Sequence, residues 1–365
     1  MNVLVLNCGS STIKYELFQE VRSIASGTVE LVSGYREAVR SIVAALPARP
    51  GAVAHRVVHG GEPFTEPVLL TEAILAKLRE LSYLAPLHNP PAIEGIEAAR
   101  DLGVPMAAVF DTAFHATLPE TASRYAIPSR PGVRRYGFHG TSHRYIAEEY
   151  ARLAGSPEPT IVTLHLGNGC SACAIRRGRS VETSMGFTPL EGLVMGTRAG
   201  DVDPALVLLL AREHGIDEAE RILNRESGLL ALAGTNDMRA ILSRVDEDAR
   251  RAVEIFCHRV RKYVGAYLAV LEGAEAIVFT GGIGENSAEI RRRVCAGFAW
   301  AGLKLDDSRT EGRISTEDSR LHAWVIRTDE EKLIAREAIR LLKGGRDGQD
   351  RRRQDAPGSH RSDVG

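Results

Sequence analysis

Three stretches of the sequence join an apolar run to a glycine-bearing loop: NCGSSTIK at 7–14, HLGNGCS at 165–171 and FTGGIGENS at 279–287. Glycine lets backbone amides close around an anion, and the serine and lysine side chains add donors and a positive charge. Together the three suggest a polyphosphate held between two domains. Singly, each is more often a turn: GGIGEN fits neither GxGxxG nor GxxxxGK[ST], and one Lys14 after a turn is usually a solvated strand residue.

The cationic candidates are Arg56 in HRVVHGG, Arg198 in MGTRAGD and His139 in YGFHGTSH. A guanidinium in a glycine-bounded segment suits bidentate capture of carboxylate or phosphate, although a structural ion pair is the commoner role of either arginine read alone. His139 and His143 are four apart, but Gly140 stands where a zinc-protease HExxH motif needs its glutamate, which argues against zinc. Cys170 and Cys173 form a CxxC with no second pair. On a strand, positions three apart face opposite ways, so both read as small buried side chains. Among the acids, Asp111 follows an apolar run inside FDTAFH, Asp203 reads as a helix cap and Asp201 as support for its loop. Glu330 lies in TDEE, at a helix start that favours acids in any case.

Positioning these groups calls for strands that end where the loops begin. Met1 to Leu6 and Ile13 to Phe18 read as a hairpin, and Ala52 to Val58, Met106 to Phe110, Thr160 to Leu166 and Ala276 to Thr280 as further strands. Helices are expected over 35–46, 71–81 with Thr71 as cap, 90–102, 204–213 with Pro204 at its first position, 248–272, from 288, and 330–342. The outline VLVLNCGSSTIKYEL recurs as IVTLHLGNGCSACAI, Gly9 matching Gly167, a sign of a duplicated fold. A Gly, Ser and Pro-rich stretch at 151–159 marks a boundary between the two halves. From Gly344 the chain is nearly devoid of apolar residues and reads as a disordered tail over 344–365.

The 365 residues carry 46 Lys+Arg against 47 Asp+Glu and are 44% hydrophobic, an ordinary globular composition with room for two cores. That balance argues against nucleic acid as the main partner. The longest strongly apolar run, Ala205 to Ala211, is far short of the ~20 residues a membrane helix needs. With no basic leader and five sparse cysteines, a reduced, cytoplasmic setting is expected.

Taken together, NCGSSTIK, AHRVVHGGEP, LAPLHNPPAIEGI, FDTAFH, YGFHGTSHRYI, HLGNGCS, MGFTPLEGLVMGTRAGDVDP, FTGGIGENS and TDEEKLIARE, in this order, closely resemble the acetate kinase family. The resemblance implies an α/β fold of two duplicated actin-like (ribonuclease-H-like) ATPase domains with an interdomain cleft. The first domain would take residues 1–150 plus the returning helix 330–343, and the second 151–329. It implies homodimers formed mainly through the second domain, ATP/ADP and acetate/acetyl phosphate as substrates, and Mg²⁺, or Mn²⁺ in its place. By position the metal residues fall on Asn7 and Glu330, the phosphate-contacting lysine on Lys14, the substrate arginine on Arg56 and the catalytic acid on Asp111. His139 and Arg198 would stabilise the transition state, and His88 is a further active-site histidine. Nucleotide contacts fall on His165, Leu166, Gly167, Asn168 and Gly169, on Asp237, Met238 and Arg239, and on Gly282, Ile283, Gly284, Glu285 and Asn286. Val58, Leu87, Phe138 and Pro189 would surround the acetate methyl group. The stretch 19–52 is shorter than the family's, so a hairpin or helix of the first domain is expected to be missing.

A carboxylate is already ionised at pH 7 and needs no general base to attack phosphorus. The obstacle is bringing an anion to a polyanion: at about 4 Å and an effective dielectric of 20, two unit charges repel by roughly 4 kcal/mol. Cations must come first, and Asp111 then orients a cation or the metal's water instead of abstracting a proton. The rivals are a propionate or butyrate kinase with the same loops and a nucleotide-switch module of the Hsp70 or actin type.

Overall fold

The computed structural model describes residues 1–31 and 34–354, with the backbone course alone given for 345–354. Two compact units are defined by internal contacts: residues 1–57, 66–109 and 331 onward, and residues 58–65 with 110–330.

The first unit is built on a six-stranded sheet in the order β3-β2-β1-β4-β6-β5. Its strands are β1 (Asn2–Cys8), β2 (Thr12–Gln19), β3 (Arg22–Glu30), β4 (Ala52–Val57), β5 (Val68–Leu69) and β6 (Met106–Phe110). The apolar run of β1 is unbroken because both of its faces are covered. Leu4 and Leu6 meet Val39 and Ile42 of the helix Tyr35–Ala45, while Val3 and Val5 lie in one cluster with Ile334, Ala335 and Ala338. The last helix thus packs back on the first sheet. The helix Asn89–Ala99 starts with prolines in its first turn and lies so close to β1 that a side chain at Gly95 would strike Cys8.

In the second unit the order is β11-β12-β10-β7-β8-β9. These strands are β7 (Ile161–Leu166), β8 (Cys170–Arg176), β9 (Arg179–Thr183), β10 (Ala276–Thr280), β11 (Gly312–Arg313) and β12 (His322–Val325). Both sheets begin with an antiparallel three-strand meander whose first strand pairs in parallel with a later one, β4 or β10. The duplication outlined in the sequence is therefore present in the topology. The long helix Glu247–Leu271 shares one core with β8: Phe256, Val260 and Val264 cluster with Cys170, Ala172 and Ala174. Cys173 faces the other way, with Sγ 3.3 Å from Ser180 Oγ.

Several boundaries differ from expectation. The units part at Val109/Phe110 and not near 151, because the helix Gly140–Ala154 belongs with β7. A polar, proline-bearing stretch there marks only the surface turn between that helix and its strand. Residues 58–65 join the same unit, Phe64 stacking on Phe110 at 5.1 Å. The segment read as a loop after β10 is a short helix, Gly281–Asn286. The final helix runs from Glu330 to Gln354, past Leu342 where its apolar spacing stops, since extending a formed helix adds a backbone bond per residue without needing an apolar partner. Of the tail expected over 344–365, residues 355–365 lie outside the described residues. No helix among the described residues is long and apolar enough to cross a membrane.

Candidate active site

In the second unit Asp111 follows β6 directly, and its backbone oxygen accepts from Gly140 N at 2.9 Å. Any side chain at 140 would collide with that oxygen, which accounts for the glycine of HGTSH. One residue earlier, His139 has φ 56°, a left-handed conformation that a non-glycine residue adopts only under constraint. The turn brings Thr141 onto two carboxylates: its Oγ1 lies 3.1 Å from Asp111 Oδ1 and 3.0 Å from Glu330 Oε2.

His139 is held by Ser171 Oγ, 2.9 Å from Nδ1, and its ring lies 4.3 Å from that of His165. His165 Nδ1 is 2.8 Å from Ser142 Oγ. A Cβ built on Gly169 would be 3.2 Å from the His139 ring and 3.8 Å from Arg198 Nη1, so the loop glycine is flanked by both candidate cationic groups. Arg198 is half-buried and donates to Pro189 O at 3.1 Å, and it pairs with no carboxylate among the described residues. Burial pushes its guanidinium pKa down. An arginine held this way is short of an anion.

The three nucleotide segments expected from the sequence meet at one cavity of about 470 Å³. Gly167, Asn168, Asp237, Met238, Arg239, Gly282, Ile283 and Asn286 line it, with Asn236, Leu242 and Ser287. Asn236 Nδ2 donates to Asn168 Oδ1 at 3.1 Å, and Asn168 O accepts from Gly196 N at 2.8 Å. Asp237 caps the short helix Met238–Leu242 and holds Arg239. Met238, Leu242 and Ile283 give the cavity apolar walls among these polar groups, the lining that suits a nucleotide base. His165, Leu166, Gly169, Gly284 and Glu285 do not line it. Glu285 Oε1 instead accepts from Thr280 Oγ1 at 3.0 Å, Gly281 N at 2.9 Å and Thr328 N at 3.1 Å, which fixes the loop that Gly282 and Ile283 present.

Of the methyl-pocket candidates, Phe138 is buried, Val58 packs on the same core, and Pro189 supplies its carbonyl to Arg198. Leu87 and His88 belong to the first unit, Leu87 being 43% exposed. In that unit Asn7 stands opposite Lys14 in the β1/β2 register, and Arg56 Nη1 donates to Asn7 Oδ1 at 3.4 Å. Asn7, Lys14 and Arg56 are thus neighbours at the end of β1. Thr141, Ser171, Thr163 and Asn236 were not singled out by the sequence reading. Only the hydroxyls within HGTSH and GNGCS, beside residues already chosen, could have signalled the first two.

The duplicated topology, the glycine-lined cavity and Arg198 beside His139 at the loop glycine fit a nucleotide-dependent phosphotransferase built of two similar α/β units. The model of the acetokinase family matches residues 41–336. An acetate kinase of Solibacter usitatus is 48% identical, covering 94% of this chain and 99% of its own. That alignment spans 409 positions against 365 residues here, so the relative carries segments this chain does not have. Among solved structures, a propionate kinase from Francisella tularensis is 38% identical with a TM-score of 0.88, over 92% of this chain and 98% of that one. An acetate kinase from Porphyromonas gingivalis is 37% identical with the same TM-score of 0.88, over 93% and 99%. The chain belongs to the acetokinase family.

Proposed function

We propose that this chain phosphorylates acetate from ATP, reversibly, giving acetyl phosphate and ADP by direct in-line transfer. The observation that carries the reading is Arg198: a half-buried guanidinium with no carboxylate partner among the described residues, beside the loop glycine and His139, suits an anion whose charge spreads over oxygens. The cavity lined by Gly167, Asn168, Asp237 to Arg239, Gly282, Ile283 and Asn286 takes the nucleotide. Arg56 and Lys14 receive, by resemblance, the acetate carboxylate and the phosphates. The ionised acceptor needs no base, so Asp111 serves through charge and orientation.

The donor set around Thr141 fits a hard divalent cation. Thr141 Oγ1 gathers Asp111 Oδ1 and Glu330 Oε2 around one point, and carboxylate oxygens brought together in this way suit Mg²⁺ or Mn²⁺. Glu330 and Asp111 would hold that ion, with Asn7 assigned to it by resemblance. When bound it neutralises charge on the phosphates. Asp111 and Glu330 meanwhile keep Thr141, and through it the first turn of the Gly140–Ala154 helix, in place behind His139.

The helix Pro204–His214 buries none of its residues, with Leu206, Leu208 and Leu209 at 45%, 55% and 46% exposure. An apolar patch of this kind supports a homodimer formed through the second unit. Leu208→Glu should yield a monomer by light scattering. A cytoplasmic setting agrees with five cysteines, all free and buried. The reading is tested by trapping acetyl phosphate as its hydroxamate in a reaction of ATP, Mg²⁺ and acetate. ATP hydrolysis without hydroxamate would favour a nucleotide switch instead.

A further inference from the structure

His139 Nδ1 is the start of a buried chain of side chains that the phosphoryl-transfer chemistry does not itself require. Ser171 Oγ lies 2.9 Å from His139 Nδ1 and 2.8 Å from His143 Nε2, and His143 Nδ1 lies 2.7 Å from Thr163 Oγ1. Thr163, His143 and Ser171 are all 0% exposed. The direction of the chain follows from its closed end. The Thr163 hydroxyl carries one proton, and His143 Nδ1 is its only hydrogen-bond partner among the described residues. A buried hydroxyl proton left without an acceptor is costly, so Thr163 donates. Burial holds His143 neutral, its pKa well below the usual value, and a neutral imidazole that accepts at Nδ1 carries its proton at Nε2. His143 therefore donates to Ser171, and the single proton of Ser171 is left for His139 Nδ1.

We infer that Thr163, His143 and Ser171 are positioning residues that make His139 Nδ1 an acceptor and so fix the His139 proton on Nε2, the ring edge away from the chain. The inference rests on the reading of His139 as part of the phosphoryl-transfer site. It sharpens that role: His139 presents a neutral Nε2–H donor, and the positive charge is left to Arg198. An imidazolium at 139 would need its Nδ1–H accepted by Ser171, which strands a buried hydroxyl proton, that of Ser171 itself or, with the chain reversed, that of Thr163. Groups near the two rings include His165, 4.3 Å from His139, His115, 5.7 Å from His143, and Arg198, across Gly169. None of them stands between Ser171 and either ring nitrogen at the distances above.

The test combines a spectrum with a kinetic cycle on the full chain. In protein labelled with ¹⁵N-histidine, the His139 ring, assigned by its loss in His139→Ala, should be protonated at Nε2 and bare at Nδ1. A proton on Nδ1 would overturn the inference. Ser171→Ala removes the hydroxyl without adding volume. It should lower kcat by about tenfold to a hundredfold, with the KM values for acetate and ATP little changed, as for the outer partners of ligating histidines. Combined with His139→Ala it should cost nothing further, because it acts through that ring. An equal loss in both backgrounds, or none in either, defeats the chain while leaving the His139 reading intact. If His139→Ala itself leaves kcat unchanged, the reading of the site fails and takes the inference with it. Thr163→Val, isosteric and favoured in a strand, provides a second route: a smaller loss in kcat restored by Thr163→Ser supports the chain, and no loss opposes it.

Discussion

Asp111 and Glu330, far apart in the chain, face one hydroxyl: Thr141 Oγ1 is 3.1 Å from one carboxylate and 3.0 Å from the other. Two carboxylates gathered on one hydroxyl are oxygen donors of the kind we propose hold the divalent cation. Thr141→Val should raise the Mg²⁺ concentration needed for half-maximal activity, by about tenfold on the scale of outer-shell losses, and Thr141→Ser should restore it. An unchanged Mg²⁺ titration would remove Thr141 from the metal site.

Arg198 is predicted to act mainly in the transition state. Arg198→Ala should lower kcat by roughly 100- to 1000-fold, more than it raises either KM. Steady-state kinetics with both substrates varied decides this, and a loss confined to KM would reassign the residue to ground-state binding. Arg56→Ala, by contrast, should show itself chiefly in the acetate KM.

Stability should fall in mild acid. Burial lowers the pKa of His55 to about 3 and of His59 and His115 to about 4, and His143 is shifted the same way. These groups are neutral in the fold but titrate near 6.5 when unfolded. The unfolded chain therefore binds more protons below 6.5, and the stability present above that pH is lost as pH falls toward 4 and below. Each histidine adds a slope of about 1.4 kcal/mol per pH unit across that window. Denaturant midpoints at pH 7.5 and 5.0 measure it, and a midpoint indifferent to pH would contradict the burial of these rings. Neither His55 ring nitrogen has a hydrogen-bond partner among the described residues, so His55→Met should flatten the slope without loss at neutral pH.

What could be read from the sequence was what local chemistry determines. The runs of β1 and β7 are legible because each is buried along its length, and the Pro204–His214 helix is announced by its Asp203 cap. The Gly281–Asn286 helix was not, since three glycines in six residues argue against a helix. Its geometry depends on Glu285, whose carboxylate ties Thr280, Gly281 and Thr328 together. The short helices Gly228–Ala233 and Met238–Leu242 are too brief for a period to register. Loops that line the cavity between Asn168, Arg239 and Ile283 stand out by their glycines, whereas Thr163, Ser171 and His143 meet only because β7, β8 and the Gly140–Ala154 helix are packed together.

Whether acetate is the acceptor is decided by a series of acids of increasing acyl length. If Phe138 and Val58, which pack in the second unit's core, line the methyl pocket as the resemblance implies, that pocket should discriminate by about 1 to 3 kcal/mol per methylene. In kcat/KM, measured by hydroxamate formation, propionate should be poorer than acetate by roughly 10- to 200-fold, and Val58→Ala should narrow the gap. Butyrate or propionate matching acetate in the unmodified protein would contradict the assignment of acetate, even with the phosphoryl chemistry intact.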